Sequence, residues 1–195
     1  LGQRETFVFT LFFCTVPTQN EYSTHQIKLM PNTHIALGLW PIAGITTVGI
    51  SANDAEQTVI AAIESGITTF DTAFSYGYAG ESEQLLGTQI TRQREKYTVI
   101  GKVGQRWNDN RERVADGSRQ SLIADAETSL RRMKLDYFDM LMLHSPDPKV
   151  ALEESAEAIA VMQKRGLCHQ TGVCNINLNQ LIKFQTVLKC DAIQC

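Results

Sequence analysis

Six side chains in this sequence could together move a proton. Asp71 closes the short apolar run Ile67–Asp71, Lys102 closes Tyr97–Lys102, and His144 follows Leu141-Met142-Leu143 directly. Asn175 follows the run His169–Cys174, Gln194 stands near the end of Asp191–Cys195, and Tyr76 lies five residues past Asp71. A phenol beside an ammonium is a tunable acid. An unperturbed tyrosine titrates near ~10 and a lysine near ~10.4. A lysine cation favours the phenolate, so Tyr76 is expected to be pulled down towards neutral pH. At roughly 4 Å and an effective dielectric of about 20, one such charge is worth about 4 kcal/mol before screening. Asp71 would hold Lys102 charged and in place, and His144 would orient a substrate oxygen or share the proton.

These residues need a scaffold that brings the ends of successive runs to one edge. From Ile35 onward, short apolar runs alternate with segments of helical spacing. Strands are expected at Ile35–Leu39, Ile67–Asp71, Tyr97–Lys102, Tyr137–Leu143, His169–Cys174 and Asp191–Cys195. Helices are expected at Ser51–Ser65, Glu81–Ile90, Ser118–Met133, Leu152–Lys164 and Leu178–Leu188. Asn53 can cap the first helix and Gly66 can stop it. Strict alternation means parallel strands joined by crossover helices, which suits a doubly wound sheet or a barrel. No GxGxxG follows the first strand, which counts against a Rossmann site. In a parallel barrel the six polar residues would share the C-terminal rim, where barrel enzymes place their chemistry.

Composition sets limits around this picture. The 195 residues carry a formal net charge of -3, with no long run of one sign. That argues against a nucleic-acid partner and against an anionic membrane surface. The run Phe7–Val16 is too short to span a bilayer. The five cysteines, Cys14, Cys168, Cys174, Cys190 and Cys195, include no CxxC pair. They are expected to be reduced thiols in a cytoplasmic protein, and no zinc-ligand spacing is seen. Residues 1–29 are read as an upstream extension or a loose N-terminal arm, because Met30 directly precedes the start of the alternating pattern, and residues 30–195 as the barrel domain. Trp107 falls on the loop after the third strand, where it would shape a pocket or pack the loop. Arg111-Glu112-Arg113 reads as a solvated mixed-charge loop.

The ordered motifs carry a family resemblance. Phe70–Gly77 (FDTAFSYG), Gly80–Gly87 (GESEQLLG), Val99–Gly104 (VIGKVG), Met140–Pro148 (MLMLHSPDP) and Gly172–Asn177 (GVCNIN) resemble successive signatures of the aldo-keto reductases, and Gly38-Leu39-Trp40 resembles their opening. The resemblance runs from about Ile35 to Gln194. It implies an α/β (β/α)8 TIM barrel, cut after about the sixth strand, and an NADP(H)-dependent oxidoreductase, with NAD possible. Its substrate would be a small carbonyl compound, polar or sugar-like. By position, the resemblance implies Tyr76 as general acid, Lys102 and Asp71 as its tuning pair, and His144 as the group orienting the carbonyl. Asp71, Cys174, Asn175 and Gln194 would contact the nicotinamide, and Trp40 would line the substrate side. Cys174 stands where the family usually has serine, a better hydrogen-bond partner. Most phosphate-binding groups of the family follow its last two strands, for which this sequence shows no runs. The same fold also serves as a cofactor-binding regulatory subunit of ion channels, and a chain ending here is expected to be poorly folded or inactive by itself.

Overall fold

The computed structural model describes residues 35–45 and 49–194. The extension expected over residues 1–29 and the terminal Cys195 lie outside the described residues. The strands, in chain order, are β1 (Leu37–Gly38), β2 (Thr69–Asp71), β3 (Thr98–Val103), β4 (Gln105–Trp107), β5 (Arg113–Ala115), β6 (Phe138–Leu143), β7 (Cys168–Cys174) and β8 (Ala192–Gln194). Six of them, all but β4 and β5, form one curled parallel sheet in the order β1-β2-β3-β6-β7-β8. Each pairs with the next, so the sheet is half of a barrel wall built by repeated β-α units. The first and last strands are shorter than the apolar runs suggest. Among the described residues no helix is long and apolar enough to cross a membrane.

The sheet is covered on its outer face by α1 (Ala52–Glu64), α2 (Glu81–Ile90), α3 (Arg119–Met133), α4 (Leu152–Lys164) and α5 (Leu178–Gln185). Val99, Val103, Leu141, Leu143 and Val173 join one apolar cluster with Leu86, Leu122, Ala126, Ala156, Ile159 and Met162 of these helices. Ile100, Met140, Met142, Cys174 and Ala192 form a second cluster that contains no helical residue. The two clusters are the two faces of one sheet, separated by the two-residue period of a strand. Lys102 shares its parity with Ile100, His144 with Met142, and Gln194 with Ala192. The inner face is therefore apolar at its base and polar at the C-terminal edge. Cys168 and Cys190 are buried free thiols, raised by burial to about 12 and about 11.

Local chemistry sets the helix ends. Helix α1 starts at a capping box: Ser51 Oγ accepts from Asp54 N at 3.1 Å, and Asp54 Oδ2 accepts from Ser51 N at 3.3 Å. The cap is thus Ser51 rather than the expected Asn53, which lies inside the first turn. Both residues have an acidic residue three positions on, but Ser51 holds the extended backbone that a cap requires, at φ -86° and ψ 161°. Gly66, at φ 86°, ends the helix as expected. Helix α5 begins at a second capping box, Asn177 with Gln180, and stops at Gln185, short of Leu188. Helices α2 and α3 approach through Gly87, where a Cβ would lie 2.4 Å from the Met133 carbonyl oxygen.

One element departs from the expectation. The segment after β3 forms an antiparallel hairpin, β4 with β5. Its turn is built by Asn108, whose Oδ1 accepts from Asn110 N at 3.0 Å and Glu112 N at 2.8 Å. Three-residue strands are too short to show a period, so the sequence reads as loop.

The loop after β2 is pinned from beneath. Arg132 donates to Phe74 O at 3.3 Å and to Glu83 Oε2 at 2.8 Å, and its guanidinium stacks on the Phe74 ring at 4.7 Å. Glu83 is fully buried, and burial raises its pKa despite Ser129 and Arg132. Arg132→Met is expected to lower the unfolding free energy by about 3–5 kcal/mol, because it strands a buried carboxylate. Urea unfolding of the full-length protein checks this, and Glu83→Gln combined with Arg132→Met is expected to recover much of the loss.

Candidate active site

Lys102 is the centre of the polar edge. It is 2% exposed, and its ammonium has three donors with three acceptors around it. Nζ forms an ion pair with Asp71 Oδ1, donates to Tyr76 OH at 3.1 Å and donates to Thr72 O at 3.2 Å. Thr72 and Tyr76 reach it because the chain leaving β2 keeps pairing with β3: Thr72 N donates to Ile100 O and Phe74 N to Lys102 O, both at 2.9 Å. The turn that follows needs Gly77, at φ 102°, where a Cβ would lie 2.8 Å from Glu81 N. Burial alone would lower the Lys102 pKa, but Asp71, with Tyr76 and Cys174, holds the ammonium above its usual range.

Tyr76 is buried, and its pKa stands above the ordinary tyrosine value. Burial is the largest cause; Lys102 opposes it, and Asp71 reinforces it. This reverses the downward shift expected from the Tyr–Lys pair alone. A pairwise reading counts the cation but not the desolvation of the phenol, nor the carboxylate that neutralises the cation. Tyr76 is thus a neutral phenol near pH 7. A lysine can only donate, so the phenol oxygen is the acceptor of that bond, and its own hydrogen is left for another partner.

His144 closes the other side. Its backbone N–H donates to Val103 O at 2.9 Å, continuing the ladder past β6, and its ring meets the Tyr76 ring edge-on at 5.7 Å between centroids. Burial, followed by the charges of Lys102 and Arg113, pushes its pKa well below the usual histidine value, so the imidazole is neutral. Its Nδ1 is buried without a hydrogen-bond partner among the described residues. A neutral imidazole carries one N–H, which can be presented to an incoming oxygen.

The ends of β7 and β8 complete the edge. Gln194 Nε2 donates to Asp71 Oδ2 at 3.3 Å, tying β8 to the Lys102 pair across the sheet. The Cys174 thiol donates to Gln194 Oε1 at 3.3 Å and contacts Met142 Sδ at 3.8 Å. Asn175 Nδ2 donates to His144 O at 2.9 Å, and its backbone, at φ 53°, turns the exposed side chain over the rim. All residues expected at the site therefore stand at one edge, with Cys174 turned inward to buttress Gln194.

An aromatic wall stands above them. Trp40 packs on Tyr76 with ring centroids 5.1 Å apart. Trp107 anchors the hairpin by donating from Nε1 to Ser75 O at 2.9 Å, and Tyr78 packs on it at 5.0 Å. Trp107 thus both packs the loop and walls the site. Arg113, exposed as expected of that segment, also stacks on Trp40 at 4.3 Å and on Trp107 at 5.1 Å. The sequence signal for it is slight: an arginine six residues after a tryptophan, on a loop leaving a strand end.

The arrangement offers a buried neutral proton donor, a fixed cation behind it, and a neutral imidazole beside it. That set can protonate an oxygen on which negative charge develops.

Comparison with known proteins identifies the family. The profile of the Aldo/keto reductase family matches residues 34–195, and the chain belongs to that family. It is 32% identical over 176 residues to the aldo-keto reductase YhdN of Bacillus subtilis, covering 89% of this chain and 53% of that protein. Among solved structures it resembles the glycerol dehydrogenase AKR11B4 from Gluconobacter oxydans, with a TM-score of 0.73 and 30% identity over 81% of this chain and 49% of that one. It also resembles an aldo/keto reductase from Klebsiella pneumoniae in complex with NADP and acetate, with a TM-score of 0.61 and 25% identity over 76% of this chain and 47% of that one. The chain thus spans about half the length of the relatives it matches.

Proposed function

We propose that the full-length protein is an NADPH-dependent carbonyl reductase that interconverts an aldehyde, ketone or aldose and its alcohol, with Tyr76 as general acid. One observation carries this reading: the 3.1 Å bond in which Lys102 donates to Tyr76 OH. It commits the phenol oxygen as acceptor on the lysine side and leaves its proton for a substrate oxygen lodged between Tyr76 and His144. Asp71 is a positioning residue that keeps Lys102 charged. His144 donates a hydrogen bond that orients the carbonyl. Trp40 lines the substrate side and helps to exclude water.

The residues present fit a nicotinamide. A carboxamide needs an acceptor and a donor, and Asn175 Oδ1 and the amide of Gln194 supply both at the rim. When bound, the dinucleotide supplies the hydride; the chain supplies position and the proton. NADPH is favoured over NADH because the related structure from Klebsiella pneumoniae is a complex with NADP.

The test is turnover. The full-length protein, given NADPH and a panel of aldehydes, ketones and aldoses, should oxidise many equivalents of NADPH and form one alcohol per NADPH consumed. Binding of NADPH without multiple turnovers on any carbonyl would instead assign the fold a cofactor-binding, non-catalytic role.

A further inference from the structure

We infer that Arg113 selects the substrate, recognising a carboxylate or similar planar anion carried by the carbonyl compound. The inference rests on the reductase reading and names its substrate class. Arg113 lies on β5, and its guanidinium stacks on Trp40 and Trp107 at 4.3 and 5.1 Å. Trp40 in turn packs on Tyr76 at 5.1 Å, so the guanidinium is one aromatic ring away from the proton donor. Stacking occupies the face of a guanidinium and leaves the N–H groups along its edge, the geometry that takes a carboxylate with two parallel bonds.

Those N–H groups have no carboxylate to meet among the described residues. The arginines beneath the rim are paired: Arg106 with Asp125 at 2.6 Å and Arg132 with Glu83 at 2.8 Å. Arg111, exposed at the hairpin turn, stacks on Tyr78 at 4.7 Å. The neighbouring Glu112 is engaged in the same turn, where its Oε2 accepts from Asn108 at 2.9 Å. Within the site, Lys102 is neutralised by Asp71 and His144 is uncharged. Among the described residues, Arg113 is thus the cation without a carboxylate partner that stacks on Trp40, the ring packed against Tyr76. Its charge, after burial and the charge of Lys102, also contributes to the lowered pKa of His144.

The sequence has two tryptophans, and both touch Arg113, so intrinsic fluorescence reports on this contact directly. The experiment titrates the full-length protein with benzoate and with its neutral isostere benzamide. Benzoate is expected to bind at least about tenfold more tightly, a preference that Arg113→Gln abolishes and Arg113→Lys, which keeps charge but not the fork, retains in part. In parallel, Arg113→Gln should lower kcat/KM for 4-carboxybenzaldehyde about tenfold more than for 4-methylbenzaldehyde. Equal affinity for the two ligands, or a preference that survives in Arg113→Gln, overturns the assignment. Reduction of neither aldehyde, with an Arg113-dependent benzoate preference intact, sinks the reductase reading and leaves anion recognition standing.

Discussion

Tyr76→Phe in the full-length protein is expected to lower kcat/KM for carbonyl reduction by roughly 10²–10⁴-fold, the range lost when a positioned general acid is removed. The substitution deletes one oxygen from a buried side chain whose ring still packs on Trp40 and His144. The fold should lose about 1.5–3 kcal/mol, the range for a hydrogen bond to a charged group, here the buried Lys102. Activity and stability thus separate: steady-state kinetics should collapse while the protein still unfolds cooperatively at a moderately lower urea midpoint. Because Tyr76 is held neutral by burial, the native rate should be flat across neutral pH rather than falling as a phenol ionises there. A steep fall between about pH 6 and about pH 8 would contradict the raised pKa, since an unperturbed phenol titrates only near ~10.

Lys102→Met is expected to have the largest effect on stability of any single change at the site. It leaves Asp71, 2% exposed, without its cation. Breaking a buried pair from one side costs about 3–5 kcal/mol, a large part of the roughly 5–15 kcal/mol that holds a typical domain together. Among the described residues only Gln194 Nε2, at 3.3 Å, would remain to the carboxylate as a side-chain donor. The double variant Asp71→Asn with Lys102→Met removes both charges and should regain most of that stability while staying inactive, because no cation then backs the phenol as charge develops. Equal stability of the single and double variants, measured by urea unfolding, would show that the pair does not carry the energy assigned to it.

Much of this site is legible in the amino-acid sequence itself. The parity of Lys102 with Ile100, of His144 with Met142 and of Gln194 with Ala192 is written there, and a parallel sheet turns parity into a shared face. The ends of apolar runs mark where each strand delivers its polar residue. Tyr76 is legible through its distance from Asp71, although its contact with Lys102 depends on Thr72–Phe74 extending the ladder, which no spacing announces. Two properties are not legible. The direction of the Tyr76 pKa depends on how several charges and one burial balance, and pairwise reasoning from residue types sees only the lysine. The role of Arg113 depends on a hairpin with three-residue strands, held to the site by the indole bond to Ser75 O, by Gln105 donating to Ser145 Oγ and by the stacking of Arg113 on Trp40. Short antiparallel elements inside a βα loop have no period to read, so a charged turn and a stacked wall look alike.

Carbonyl reduction at this edge, with Tyr76 supplying the proton, is tested most directly by tracing hydrogen. Full-length protein is incubated with an aldehyde substrate and NADPH deuterated at the transferring position, and the alcohol is examined by mass spectrometry. One deuterium per molecule is expected on the former carbonyl carbon, in an alcohol formed at least about a hundredfold more slowly by Tyr76→Phe. An alcohol without label, or one formed equally fast by the variant, would contradict that chemistry.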